Sequence, residues 1–140
     1  MASGIFDVFK TGLMKGTFNV HTGGHAIKIA LMAVGYSFNA TTQSAWTDIS
    51  ANEVTGVNYS AGGTTITSSV ALSSNTAQFK TAGDITWASS TITAYGAIIY
   101  DSTATGALIA WIDFGGAQSS SNGNFTISWT SQSNVIIALS

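Results

Sequence analysis

The side chains of this chain that could do chemistry are two histidines and six acidic residues. His21 and His25 are four residues apart, a spacing that lets two histidines bind one metal ion when both lie on one face of a helix. Gly23 and Gly24 lie between them and indicate a turn. We therefore expect two polar positions beside a turn and no metal site.

Five of the acidic residues lie in the body of the chain: Asp48, Glu53, Asp84, Asp101 and Asp113. Pairs of them could meet in space, as glycoside hydrolysis requires, but their spacing brings no two together. Asp48, Asp84 and Asp101 stand where turns and helix caps favour Asp. Calcium binding in a loop stays open as an alternative, since hard cations take carboxylate and carbonyl oxygens, although no dense acidic loop is present.

Motifs of nucleophilic catalysis and phosphate binding are missing from the sequence. There is no Gly-x-Ser-x-Gly elbow, and no histidine follows His25 to act as a base. The Gly-Gly pairs at 23, 62 and 115 lack the lysine and the strand-to-helix setting of a phosphate loop. We therefore expect no catalytic residue, no cofactor and no enzymatic activity.

Charge is scarce in this chain. Four lysines, six acidic residues and no arginine make up 7% of the 140 residues, against about 25% in typical soluble domains. The four lysines are too few and too scattered to neutralise a phosphate backbone, so nucleic acid is not an expected partner. The longest strongly apolar stretch, 27–34, contains Lys28 and is far shorter than the ~20 residues of a spanning helix, so no membrane insertion is expected.

The N-terminal segment has helical spacing. Ser3 is predicted to cap a helix over about residues 4–15, and Gly16 to end it. Four apolar residues fall on one side of this helix: Ile5, Phe6, Phe9 and Leu13. This stripe predicts either a lid over the core or an arm that docks on a partner.

The remainder of the chain has the pattern of β-structure. A hairpin is predicted from Thr17–His21 and His25–Val34, with the second strand central, and a helical turn near 48–54. Further short strands are predicted at 64–72, 76–80, 84–88, 107–114, 124–129 and 134–139. A long strand is predicted to follow residues 89–90 and to end at Tyr100, and residues 115–123 are predicted to form a flexible loop. We therefore predict an all-β fold: an antiparallel β-sandwich, jelly-roll or Ig-like, as one domain over 17–140, with a short N-terminal α-helix in an arm over 1–16.

The strands before and after the 101–106 loop are apolar on both faces. Alternation places Ile92, Ala94, Gly96, Ile98 and Tyr100 opposite Tyr95, Ala97 and Ile99, and places Leu108, Ala110, Ile112 and Phe114 opposite Ile109 and Trp111. A sheet that faces water on one side alternates apolar and polar residues instead. A further element of the chain or another chain must therefore cover the second face. The candidate interface residues are Ile5, Phe6, Phe9, Leu13, Tyr95, Ile99, Ile109 and Trp111.

The chain is rich in aromatic residues, which could stack on sugars. Aromatic side chains at alternating strand positions usually belong to a core, so packing is the favoured interpretation. The residues concerned are Trp46, Trp87, Trp111, Trp129, Tyr36, Tyr59, Tyr95 and Tyr100.

Six segments are distinctive in their amino-acid sequence and in their order along the chain: 1–6 (MASGIF), 48–56 (DISANEVTG), 59–63 (YSAGG), 84–87 (DITW), 93–101 (TAYGAIIYD) and 108–116 (LIAWIDFGG). Together they resemble, nearly end to end, a family of small virion proteins of tailed bacteriophages that act as capsid decoration or cement proteins. The resemblance rests on segment order, because the family has no catalytic motif.

The resemblance implies a non-enzymatic structural protein that oligomerises, as a dimer or trimer, and decorates the capsid. Its expected partners are the major capsid protein and copies of itself. It implies synthesis in the cytoplasm of a bacterial host and a final place on the capsid surface of the virion. The alternative is a tail or fibre component that binds host glycans. Low charge and two-sided apolar strands are consistent with a protein that lives in an assembly.

Overall fold

The computed structural model describes residues 2–140. It contains two antiparallel sheets that face each other, which confirms the predicted all-β sandwich with a short N-terminal helix. The larger sheet has the order β1-β7-β6-β2-β3, and the smaller has the order β4-β5-β8. The elements are β1 (Gly4–Ile5), α1 (Asp7–Lys15), β2 (Ile27–Met32), β3 (Thr64–Thr65), β4 (Ser68–Ser73), β5 (Thr76–Thr81), β6 (Ile85–Asp101), β7 (Ala107–Ile127) and β8 (Val135–Leu139), with 3-10 turns at Trp46–Asp48, Ser50–Asn52 and Thr130–Gln132.

The N-terminal helix begins later than predicted. Gly4 and Ile5 form strand β1 against Trp111 and Ala110 of β7, so the helix starts only at Asp7. Ser3 does not cap it: the Ser3 hydroxyl accepts a hydrogen bond of 2.8 Å from the backbone N–H of Asp113. The predicted end at Gly16 is confirmed, because Gly16 has the left-handed φ of 73° that favours glycine.

The central position of β2 is confirmed. This strand lies between β6 and β3, with Ile27, Ile29 and Leu31 in the cluster between the sheets and Ala30 and Met32 on the opposite face. The predicted partner strand over 17–21 is wrong. That segment forms an irregular turn, in which the N–H of His25 donates to the carbonyl of Asn19 at 2.8 Å.

Strands β6 and β7 are longer than predicted. The segment 115–123, predicted as a loop, lies inside β7 and pairs with β6. The register shifts between Ala94 and Gly96 and again after Ile99. In the first shift β7 advances from Gln118 to Asp113 while β6 advances from Ala94 to Gly96, and in the second β7 has one extra residue. Such irregularities interrupt the alternation of faces. The simple alternation predicted for these strands is therefore wrong. On β6, the face toward the smaller sheet carries Ile92, Ala94, Ala97 and Ile99. On β7, that face carries Ile109 and Ala110, and the opposite face carries Leu108 and Trp111.

Both faces of the larger sheet are covered by this chain itself. One face packs on the smaller sheet through the main apolar cluster. The other is covered by Phe6 and by residues 36–49, chiefly Tyr36 and Ile49, with Phe38 and Trp46 partly buried around them. Of the two explanations for the two-sided strands, a further element of the same chain is the one found. Since Phe6 and Phe9 pack into these two clusters, the N-terminal segment acts as a lid on its own sandwich.

Candidate interaction surface

Most of the predicted interface residues are buried within one chain. Phe6, Phe9, Ile99, Ile109 and Trp111 are at most 3% exposed, so none of them is free to contact a partner. Their two-sided pattern reflects the cover provided by 36–49 and by the smaller sheet, which the alternation alone did not reveal. Ile5 and Leu13 are partly buried, and Tyr95, which lies at a bulge, is 36% exposed.

The smaller sheet has two edges without a strand partner among residues 2–140, one on β4 and one on β8. Their sequences, Ser68–Ser73 and Val135–Leu139, contain no charged residue and no proline. Natural proteins usually protect edge strands with charge, proline or a covering element, because an open edge pairs readily with another chain. These edges have none of the protecting residues.

The hairpin between β4 and β5 fixes which way β4 presents its groups. Ser74 and Asn75, with φ of 49° and 64°, form a two-residue turn of the primed type between the paired residues Ser73 and Thr76. In such a hairpin the residues next to the turn bond to each other. Because bonding alternates along the strand, Val70 and Leu72 direct their backbone N–H and C=O outward.

The side chains of Val70 and Leu72 lie on the inner face of the smaller sheet. Val70 is in register with Phe79 of β5, which is in register with Ile137 of β8, and both belong to the main cluster. Partners across an antiparallel pair share a face. Yet Val70 is 44% and Leu72 75% exposed, because β4 is the edge strand of the smaller sheet and packs mainly against β5.

A cleft of about 850 Å³ opens between β7 and the free edge of β8. It is lined by residues 135–138 of β8, by residues 110–112 and 124–127 of β7 among others, and by Gly4 and Ile5 of β1. Its apolar lining includes Ile5, Ile112, Phe114 and Ile136, and no lining residue is charged. A recess of about 340 Å³ adjoins it at Ile5, lined by Phe9, Lys10, Leu13, Met14 and Leu139. Met14 there is 93% exposed.

The two histidines lie in different settings. His25 Nδ1 lies 2.6 Å from Oδ2 of Asp101, whose side chain is fully buried. The other oxygen of Asp101 accepts from the N–H groups of Thr103 and Ala104, so this carboxylate holds the turn between β6 and β7. His21 is exposed. No cluster of three or more metal-ligating side chains occurs in the part of the chain that the structure describes.

Other acidic residues serve local structure as well. Asp48 accepts from the N–H groups of Ser44 and Ala45, which lowers the pKa of its carboxyl. Glu53 accepts from the hydroxyl of Tyr59 and from the N–H of Gly62, which fastens the 53–63 segment.

Burial raises the pKa of the Tyr59 hydroxyl well above its usual range and that of Tyr100 to about 12. These two tyrosines are therefore structural groups and do not act as acids near neutral pH.

The aromatic side chains mainly pack. Trp87, Trp111 and Trp129 are buried, and the half-buried Trp46 stacks on Tyr100 with ring centroids 4.7 Å apart. Among the tryptophans and tyrosines described, Tyr95 is the most exposed. A flat aromatic platform for sugars is therefore not found on the described surface.

Comparison of the chain with protein-family models, with curated proteins and with solved structures yields no match. Within residues 2–140 no helix has the length and apolar character needed to cross a membrane. The geometry thus defines a candidate interaction surface, made of the two open edges and the cleft. The sequence contained a usable signal, since β4 and β8 lack charge, but exposure of their side chains depends on the fold.

Proposed function

We propose that this protein is a non-enzymatic structural component of a tailed-phage virion, which associates with copies of itself and decorates the capsid shell. The observation that carries the proposal is the pair of open, uncharged edges on the smaller sheet. A chain with so little charge and such edges would risk uncontrolled association unless an assembly occupied them. The resemblance of its six segments to virion proteins supplies the phage context.

The local chemistry supports a binder and not a catalyst. The carboxylates with described contacts hold turns and loops, and in the pair of His25 and Asp101 the acid is fully buried at the β6–β7 turn. Contact with the shell is then expected to depend on apolar and backbone groups. With few ionic groups to screen, attachment should change little between low and moderate salt.

The location on the particle is tested with intact virions. Mass spectrometry of purified particles should give a copy number that matches the capsid lattice, and electron microscopy should place the protein on the shell. Particles lacking it should release DNA at a lower temperature. A copy number of a few per particle, density only on the tail, or release of the protein by moderate salt would contradict the decoration function.

The alternative, a tail or fibre component that binds host glycans, has less to support it because the described aromatic side chains are largely buried. Tyr95 is the residue on which it would rest. A glycan-array signal abolished by Tyr95→Ala would establish this alternative.

A further inference from the structure

We propose that β4 of one copy adds to the free edge of β8 of the next copy, with Val70 and Leu72 inserted into the cleft between β7 and β8. This inference deepens the proposed function, since it rests on self-association and names the two surfaces that meet. The contact is heterologous: each copy uses β4 on one side and the β8 cleft on the other.

Strand β4, which is added to the neighbouring copy in this contact, has a suitable geometry. Its outward N–H and C=O groups at Val70 and Leu72 have no strand to pair with among the described residues. At Ser68 the outward carbonyl accepts a hydrogen bond of 3.1 Å from the Thr22 hydroxyl, so pairing is blocked at that end of the strand and open at the other. The strand therefore presents a backbone ladder and, on the inner face, two exposed apolar side chains.

The acceptor side has the complementary features. The edge of β8 is open, and the cleft beside it lies on the inner side of the same sheet. A strand added to this edge would continue the sheet about 4.8 Å from β8, and its inward side chains would point into the cleft. Ile5, Ile112 and Phe114, all partly buried, would gain cover from them.

The absence of charge from both the cleft and β4 favours a second copy of this chain as the occupant. The cleft lining has no charged residue, so a strand with a charged inward side chain would bury that charge without a partner. The inward residues Ser68, Val70 and Leu72 of β4 are all uncharged. The chain thus carries, on the opposite edge of the same sheet, a segment that meets both the backbone and the side-chain requirements of the cleft.

Pairing of two β8 edges across a two-fold axis would provide hydrogen-bond partners for the backbone of both edges but would leave the cleft unfilled. Of the inward side chains of β8, Ile137 is 6% exposed and belongs to its own core, and Leu139, which is 50% exposed, lines the recess of its own chain beside Leu13. Both already have a place in their own chain, so they are poorly placed to fill a neighbour's cleft. The β4 edge leaves Val70 and Leu72 free for this role, so successive copies would join head to tail, and the contact closes into a ring or continues as an array.

The absence of cysteine from the sequence makes a cross-linking test direct. Ala71 and Ala138 both lie in register with Gln78 and so share the outer face of the sheet. We would prepare full-length Ala71→Cys and Ala138→Cys proteins and treat them with a short bismaleimide, separately and mixed. The mixture should give covalent dimers, whereas each variant alone should stay uncross-linked.

Two outcomes separate this inference from the proposed function. Cross-linking of Ala138→Cys with itself, or self-association without any mixed product, would overturn the β4–β8 contact and leave the decoration function standing. A mixed product from protein that is absent from virions would support the contact and contradict the decoration function. A chain that sediments as a monomer at all concentrations and gives no mixed product would overturn the contact.

A matched pair of lysine variants tests the side chains. Leu72→Lys places a charge in the cleft, whereas Ala71→Lys places the same charge on the neighbouring residue of the outer face. We expect self-association, measured by sedimentation velocity, to weaken at least about tenfold for Leu72→Lys and less than about threefold for Ala71→Lys. Far-UV circular dichroism would verify that both variants are folded. Equal weakening in the two variants would overturn the insertion of Leu72.

Discussion

Replacement of Trp111 tests how the second face of the larger sheet is stabilised. The ring is 3% exposed, lies with its centroid 4.8 Å from that of Tyr36, and covers Gly96 so closely that a Cβ there would lie 2.0 Å from Cη2 of the indole. A buried tryptophan removes about 150–250 Å² from water, which at about 25 cal/mol per Å² contributes roughly 4–6 kcal/mol. Truncations of this kind cost about 3–5 kcal/mol in practice. We therefore expect Trp111→Ala to lower the free energy of unfolding by about 4 kcal/mol.

The same site distinguishes packing from hydrogen bonding. Nε1 of Trp111 is buried without a hydrogen-bond partner among the described residues. A desolvated donor of this kind costs about 1–3 kcal/mol, so removing it offsets part of the lost packing. Trp111→Phe keeps most of the buried area and deletes the donor, and we expect a loss below about 1.5 kcal/mol.

Equilibrium urea unfolding followed by far-UV circular dichroism measures both variants. Tyr95→Ala is the control, since Tyr95 lies nearby on β6 but is 36% exposed, and it should cost less than about 1 kcal/mol. A Trp111→Ala variant as stable as the unaltered protein, or a Trp111→Phe variant that lost as much stability as Trp111→Ala, would contradict the packing role of the indole ring.

Three further predictions concern the turns and the tyrosines. His25→Ala and Asp101→Ala should each lower the free energy of unfolding by about 1–3 kcal/mol. The double variant should lose less than the sum of the two single losses. Strict additivity in urea unfolding would show that the 2.6 Å contact between the two side chains contributes nothing to stability. Gly16→Ala should lower the free energy of unfolding by about 1 kcal/mol because the backbone of Gly16 has a left-handed φ, which disfavours alanine. An added Cβ would meet no neighbouring atom, so no clash contributes. An unchanged thermal midpoint would contradict this prediction. Burial raises the pKa of Tyr59 and Tyr100, so the stability that they contribute is fully present below pH 10 and falls as the pH rises above 10. The contribution of Tyr100 is lost as the pH passes its pKa of about 12; a flat profile of unfolding free energy between pH 10 and 12 would contradict this.

Local patterns in the sequence were enough to predict several parts of this fold. Apolar residues on both sides of β2 predicted its central position, because a strand inside a sheet that is covered on both faces buries both sets of side chains. Gly16 predicted the end of α1, since only a left-handed residue closes a helix there. The shortage of charge is a property of composition that folding does not change, and the expectation of association rests on it.

The tertiary structure alone decided which apolar faces are exposed. Bulges at Ala94–Gly96 and after Ile99 interrupted the alternation, and no residue type marks such a shift uniquely. Contacts between distant segments, such as Phe6 and Tyr36 on the second face of the sheet, buried most of the residues predicted to form an interface. Val70 and Leu72 were left exposed because β4 became an edge strand that packs mainly against β5. Exposure depends on which strands become neighbours in space, and that is a property of the assembled sandwich and not of any single segment.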